Sequence, residues 1–171
     1  DRTMNLFVYN IPTRQIRKLT NYKDYDIKFP TLGNEAIAYE NGGFISQFGL
    51  AGFDPGQFDE QVGIAINSQG EIFITDTWNQ RIQAFTPSED GKFYFPSLQW
   101  DVFGWFGQSL DNKPYLAVDP AGNVFASDPE GYRIMEFSSN GDAMRAWGDV
   151  GSGMAQFNLP GGLAVAADKL T

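Results

Sequence analysis

The stretch from Gly63 to Phe85 reads GIAINSQGEIFITDTWNQRIQAF, and a related stretch from Tyr115 to Phe137 reads YLAVDPAGNVFASDPEGYRIMEF. The identical positions keep a constant offset of 52 residues. They are Ala65 and Ala117, Gly70 and Gly122, Phe73 and Phe125, Asp76 and Asp128, Arg81 and Arg133, Ile82 and Ile134, and Phe85 and Phe137. Self-similarity at a fixed period of roughly this length indicates a repeat architecture, which has to be recognised before any residue is given a chemical role.

Composition narrows the function classes. The 171 residues include 42% hydrophobic residues, enough for one domain with a core. The 12 basic and 21 acidic residues give a net charge of −9, which argues against a phosphate-binding surface, so we expect no nucleic-acid partner. Cysteine and histidine are absent, which removes the thiolate nucleophile and the commonest metal ligand. We expect no catalytic residue, no metal and no cofactor.

The chain carries no targeting or membrane signal that we recognise. No apolar run approaches the roughly 20 residues of a membrane span, so we expect no membrane partner. The start, DRTMNL, has neither a signal-peptide core nor an initiator Met. We expect an excised or processed segment, and the cellular compartment stays open.

The N-terminal part predicts two β-hairpins. Asn5 to Asn10 is rich in strand-forming residues and is followed by a proline turn and a second strand from Arg14 to Leu19. Glu35 to Tyr39 pairs in the same way with Phe44 to Phe48 across a Gly-Gly turn. Short strands with tight connections favour an antiparallel all-β domain.

Each repeat unit reads as a four-stranded sheet. An apolar strand leads to the repeated Gly, a second strand ends in the repeated Asp, and a third begins at the repeated Arg. The fourth strand is Trp100 to Phe106 in one unit and Ala143 to Trp147 in the other. A third unit starts at Gly162 and stops after one strand, Gly162 to Ala167. Four short antiparallel strands per unit are typical of a β-propeller blade.

A Gly-rich link separates the units. Phe48 to Phe58, FGLAGFDPGQF, returns 99 positions later as Trp147 to Phe157, WGDVGSGMAQF. With these links, the repeats over residues 48–168 resemble the NHL-repeat β-propellers. Two residues depart from the family pattern, each in a single turn. Gln61 occupies the position that Pro160 holds in the third unit, and Gly131 occupies the position that Asn79 holds in the first.

The NHL resemblance implies a non-catalytic scaffold that binds a protein or peptide, because such propellers mostly serve as interaction modules. The alternative is a metal-dependent hydrolase, similar to the propeller lactonases that hold a metal in a central channel with Glu, Asn and Asp. RNA binding, known for some NHL proteins, is disfavoured by the net charge of −9.

The segment from Leu6 to Gly43 resembles the blades of TolB- and tricorn-type propellers in its hairpins and its strand ending IRKLT. We therefore interpret residues 1–171 as a single propeller or half-propeller domain, with a TolB/tricorn-like segment at 1–47 and NHL-like blades at 48–171. Such a chain is either a natural hybrid or an engineered or recombined chimera.

The two ends of the chain predict a shared blade. At an offset of 66 positions, Leu6 to Asn10 aligns with Ile72 to Asp76, and Ile16 aligns with Ile82. The N-terminal strands can thus complete the C-terminal blade, which gives about four blades per chain. The shared blade closes the propeller ring either within one chain or between two chains. We favour a homodimer, because an open half-ring leaves strand edges unpaired.

Four residues are candidates for ligand binding: Trp78, Arg81, Tyr132 and Arg133. Trp78 is the best single candidate, because it lies in the turn between the second and third strands, where exposure is expected. The two arginines could bind an anion, but their repetition favours a carboxylate partner within the blades.

Several other polar and aromatic residues favour structural roles. Asp76 and Asp128 close turns by accepting hydrogen bonds from the backbone two residues on. Interblade packing explains the other tryptophans, which are Trp100, Trp105 and Trp147. A small acidic group in the link offers hard oxygens to Ca²⁺ but lacks the spacing of a calcium loop; its members are Asp54, Asp59 and Glu60.

The assembly prediction is tested by mass. Static light scattering of the purified chain is expected to give twice the 19.0 kDa of one copy, because two half-rings remove each other's open edges. A monomer mass that stays constant with concentration would contradict the homodimer.

Overall fold

The computed structural model of the chain describes residues 7–10, 15–18, 36–40, 43–105 and 112–166, with side chains described over 47–105 and 112–166. Within these residues the fold is all-β and contains no helix, so no helical membrane span is found there. The strands are β1 (Phe7–Asn10), β2 (Gln15–Lys18), β3 (Ala36–Glu40), β4 (Gly43–Phe48), β5 (Leu50–Ala51), β6 (Gln57–Phe58), β7 (Gln61–Ile66), β8 (Ile72–Asp76), β9 (Arg81–Pro87), β10 (Tyr94–Asp101), β11 (Leu116–Val118), β12 (Val124–Asp128), β13 (Arg133–Phe137) and β14 (Ala143–Trp147).

Both repeat units form antiparallel four-stranded sheets, as predicted. The first blade has the strand order β10-β9-β8-β7, and the second has the order β11-β12-β13-β14. In each, the repeated Asp lies directly opposite the repeated Arg: Asp76 pairs with Arg81, and Asp128 pairs with Arg133. The repeat of 52 residues is therefore a repeat of strand register as well as of sequence.

The fourth strand of the first blade differs from the prediction. It runs from Tyr94 to Asp101, whereas the sequence predicted Trp100 to Phe106. The strand ends at Asp101 because its partner β9 begins at Arg81; one residue farther on, the Val102 N–H still donates to the carbonyl of the turn residue Gln80 at 2.7 Å. Trp105 is fully buried beyond that point. Of the aromatic residues that suggested a strand, Trp100 lies in β10, Phe103 and Trp105 lie in the link that follows it, and Phe106 lies outside the described residues.

The two predicted N-terminal hairpins are present. β1 pairs with β2, and β3 pairs with β4, both antiparallel. β4 crosses the predicted boundary between residues 47 and 48, and the hybrid or chimera interpretation stays a prediction. The first link follows β4, and within it β5 and β6 form a short parallel pair.

The core lies on both faces of the first blade. One cluster packs between the two blades, where the Trp100 ring lies 6.4 Å from Phe73 and 5.8 Å from Phe137. A second cluster covers the opposite face, where Phe85 contacts Phe58 and Phe48 of the preceding hairpin. Apolar side chains that alternate along β8 and β9 thus hold a neighbour on each side, which is the packing expected of a blade.

The third unit does not form its predicted strand over the described residues. Residues 161–166 carry no strand, and residue 167 lies outside the described residues. β1 pairs with β2, as the shared blade requires, but within the described residues the other edge of β1 has no strand beside it, so residues 161–166 lack the predicted neighbour. Blade number, ring closure and the homodimer stay predictions.

Candidate functional site

The Asp76 carboxylate is the centre of a buried polar network at the end of β8. Its Oδ2 accepts hydrogen bonds from Arg81 Nε at 2.7 Å and from Gln83 Nε2 at 3.0 Å. Its Oδ1 accepts from the Asp59 N–H at 2.7 Å and from Asn79 Nδ2 at 3.0 Å. Because these donors satisfy both oxygens, a fully buried carboxylate is tolerated here.

Arg81 connects this network to the first link. Its Nη1 donates to the Phe53 carbonyl at 2.7 Å, and its Nη2 donates to the carbonyls of Asp54 and Gln57 at 3.1 and 2.9 Å. The planar guanidinium thus holds three backbone carbonyls while Nε binds Asp76. The link owes its conformation to a side chain of the blade that follows it.

A left-handed residue precedes each repeated arginine. Gln80 has φ of 53° and Tyr132 has φ of 53°, although neither is glycine. This conformation costs about 1–2 kcal/mol for a residue with a Cβ. It reverses the chain between the two strands and places Arg81 and Arg133 beside the carboxylates.

The second blade repeats the ion pair but not all of its surroundings, since Met135 stands in the place of Gln83. Arg133 Nε donates to Asp128 Oδ2 at 2.7 Å, and Nη2 donates to the Phe103 carbonyl at 3.0 Å. Gly131 takes the place of Asn79 and donates its N–H to Asp128 Oδ1 at 3.1 Å. A Cβ on Gly131 would lie 2.3 Å from Asp128 Oδ2, so a larger residue here would displace the carboxylate from its place beside Arg133.

These contacts favour the structural alternative for the two arginines. The Arg81 side chain is 7% exposed and its donors bind protein acceptors, whereas the Arg133 side chain is 36% exposed. The predicted hydrogen bond from the backbone N–H two residues on is not made by Asp76, whose carboxylate accepts from the Asn79 side chain and from the distant Asp59 N–H. Asp128 accepts from the Gly131 N–H, three residues on. Tyr132 is half-buried beside Arg133.

Trp78 lies in the turn between β8 and β9 and is 50% exposed, as the sequence suggested. The backbone N–H of Trp78 donates to the Asp59 carbonyl at 3.1 Å. The Lys113 ammonium lies 5.4 Å from the centre of the Trp78 ring and 3.5 Å from Glu60 Oε1, and Lys113 is buried. Trp78 is therefore fixed between a buried cation on one side and solvent on the other.

Two exposed aromatic residues were missed. Phe53 is 76% exposed and Phe103 is 82% exposed, although both carbonyls bind the repeated arginines. A phenylalanine in a Gly-rich link normally indicates core. Here the carbonyl points inward to the guanidinium and the side chain points outward, which residue type alone does not reveal.

Trp78, Phe53 and Phe103 occupy the same edge of the blades. Trp78 precedes Arg81 by three residues, the Phe53 carbonyl binds Arg81, and Phe103 follows Asp101, the register partner of Arg81. We call these three residues the aromatic row. We call the edge that carries the links and the β8–β9 and β12–β13 turns the link edge.

The acidic group in the link is not assembled as a metal site. Within the described residues, no group of three or more Asp or Glu side chains could hold a metal ion. Glu60 binds Lys113, and Asp59 contributes its backbone N–H and carbonyl to the first blade.

Comparison with known proteins agrees with the repeat. The NHL repeat family matches residues 62–85, the stretch that contains β8 and the Asp76–Arg81 ion pair. The chain contains an NHL repeat. The chain is 25% identical over 141 residues to the Drosophila melanogaster protein brain tumor, covering 60% of the chain and 14% of the relative. It is 47% identical over 49 residues to the Caenorhabditis elegans B-box type zinc finger protein ncl-1, covering 29% of the chain and 6% of the relative.

The chain thus spans a small part of each of these relatives. Among solved structures, a streptogramin B lyase is similar with a TM-score of 0.49 and 16% identity, covering 84% of the chain and 47% of the lyase.

The first network is expected to contribute more to stability than the second. Asp76→Asn leaves the buried Arg81 without its carboxylate and should cost about 3–5 kcal/mol. Asp128→Asn should cost less, because Arg133 is partly exposed and water can solvate its charge. The free energy of unfolding is measured by urea denaturation, with circular dichroism as the readout.

A matched control is Asp90→Asn, which removes an exposed carboxylate paired with Lys92 and should change stability by less than about 0.5 kcal/mol. Equal effects of Asp76→Asn and Asp90→Asn would show that the first network does not hold the link.

Proposed function

We propose that the chain is a non-catalytic interaction module that binds a protein or peptide on its link edge. The observation that carries this proposal is the aromatic row, three large side chains that remain exposed, two of them on residues whose carbonyls are bound by Arg81 and Arg133. Exposed aromatic residues on an ordered frame are typical of protein interfaces.

The anchoring favours binding in a second way. A loop that is already ordered loses little conformational freedom when a partner binds, so less of the contact energy is lost to ordering. The Phe53 carbonyl is held at 2.7 Å by Arg81, and the Phe103 carbonyl at 3.0 Å by Arg133. Loops that carry function on a constant frame are a common arrangement.

The alternative, a metal-dependent hydrolase similar to the lactonases, has less support. Such a site needs several carboxylates that converge on one point with open coordination positions. The repeated carboxylates Asp76 and Asp128 instead bind Arg81 and Arg133.

The binding surface can be tested by peptide selection. We expect a random peptide display library to yield clones that bind the 171-residue chain and lose at least about tenfold in affinity, measured by biolayer interferometry, to the double variant Phe53→Ala/Phe103→Ala. Phe93→Ala removes an exposed aromatic residue before β10, outside the link edge, and should leave binding unchanged. Clones that bind both variants as tightly as the native chain would contradict the proposal.

The hydrolase alternative predicts a metal effect. An ion that binds only the folded state stabilises it by about 2.7 kcal/mol at a hundred times its dissociation constant. We expect no shift in Tm when Ca²⁺ or Zn²⁺ is added to the purified, chelator-treated chain. A saturable increase in Tm would favour the hydrolase.

A further inference from the structure

The basic residues of the link edge are already neutralised. Arg81 binds Asp76 at 2.7 Å, Arg133 binds Asp128 at 2.7 Å, and Lys113 lies 3.5 Å from Glu60. Among the described residues that form the links and the turns of this edge, which are 49–60, 77–81, 101–105, 112–115, 128–133 and 148–160, the sequence has no other Lys or Arg.

Acidic side chains remain exposed on the same edge. Asp54 directly follows Phe53, Asp101 precedes Phe103 by two residues, and Glu130 lies in the β12–β13 turn. All three are exposed. With the basic groups internally paired, the potential around the aromatic row is set by carboxylates, on a chain whose net charge is −9.

Trp78 already contacts a cation. The Lys113 ammonium lies 5.4 Å from the centre of its ring, while half of the side chain stays exposed to solvent. An aromatic face attracts a guanidinium through its quadrupole, and tryptophan does so best. The aromatic row therefore combines exposed ring faces with nearby carboxylates, and a guanidinium group binds to both.

We propose that the link edge binds an arginine-rich segment of a partner protein, with guanidinium groups stacked on the aromatic row and paired with Asp54, Asp101 and Glu130. This inference rests on the proposed function and names the chemical class of the partner. Arginine suits the surface better than lysine, because its planar group stacks on a ring and binds a carboxylate with two donors.

Charge complementarity decides against other partners. Nucleic acids and anionic membranes present phosphate groups, which need clustered and unpaired Lys or Arg. An apolar peptide would cover the three aromatic residues but would also bring carboxylates against an apolar surface, where they lose solvation.

The experiment uses labelled Arg-Gly, Lys-Gly and Glu-Gly repeat peptides of equal length and fluorescence anisotropy. We expect the Arg-Gly peptide to bind most tightly, the Lys-Gly peptide more weakly and the Glu-Gly peptide not at all. Phe53→Ala/Trp78→Ala/Phe103→Ala should weaken Arg-Gly binding by about tenfold or more. Affinity should also fall as salt is raised, because the carboxylates are exposed.

The control is Phe93→Ala, which should bind like the native chain, and circular dichroism checks that each variant is folded. Equal Arg-Gly affinity in the native chain and the triple variant would overturn the proposal, since binding would then reflect net charge alone. Equal affinity for Arg-Gly and Lys-Gly peptides would overturn the guanidinium assignment. Displayed peptides that depend on the aromatic row but are neutral or acidic would leave the interaction module standing and refute the arginine-rich partner.

Discussion

The buried ion pair between Asp76 and Arg81 is the interaction on which the rest of the site depends. The Asp76 carboxylate accepts hydrogen bonds from the Arg81 guanidinium and from the Asp59 N–H. The same guanidinium donates to three carbonyls of the preceding link. Burying two charges is costly unless their hydrogen-bonding groups are satisfied, and here the donors and acceptors come from three separate segments. The pair therefore determines the course of the link, and the course of the link determines which side chains reach solvent.

Much of the fold follows from the sequence because the repeat encodes register. The spacing of Gly70, Asp76 and Arg81, repeated 52 residues later, places β7 to β9 and β11 to β13 correctly. The errors occur where a strand depends on a partner distant in sequence: the fourth strand of the first blade begins and ends earlier than predicted, and residues 161–166 form no strand. Local pattern does not specify such partners.

The site was predictable only in part. The exposure of Trp78 follows from its place in a turn, and the structural alternative for Arg81 follows from its repetition. The exposure of Phe53 and Phe103 does not follow from residue type, because it depends on the direction of a backbone carbonyl. Such details vary between the blades: Gly131 replaces Asn79, its backbone N–H donates to the carboxylate where Asn79 uses its side-chain amide, and the arginine keeps its place.

The contacts of the repeated arginines also have a direction along the chain. Arg81 binds the link that precedes the first blade, and Arg133 binds the link that precedes the second. Loosening one blade thus releases the segment on its N-terminal side, while the link on its C-terminal side is held by the following blade. Local unfolding in such a chain has a direction: a substitution that destabilises a blade also destabilises the link on the N-terminal side of that blade.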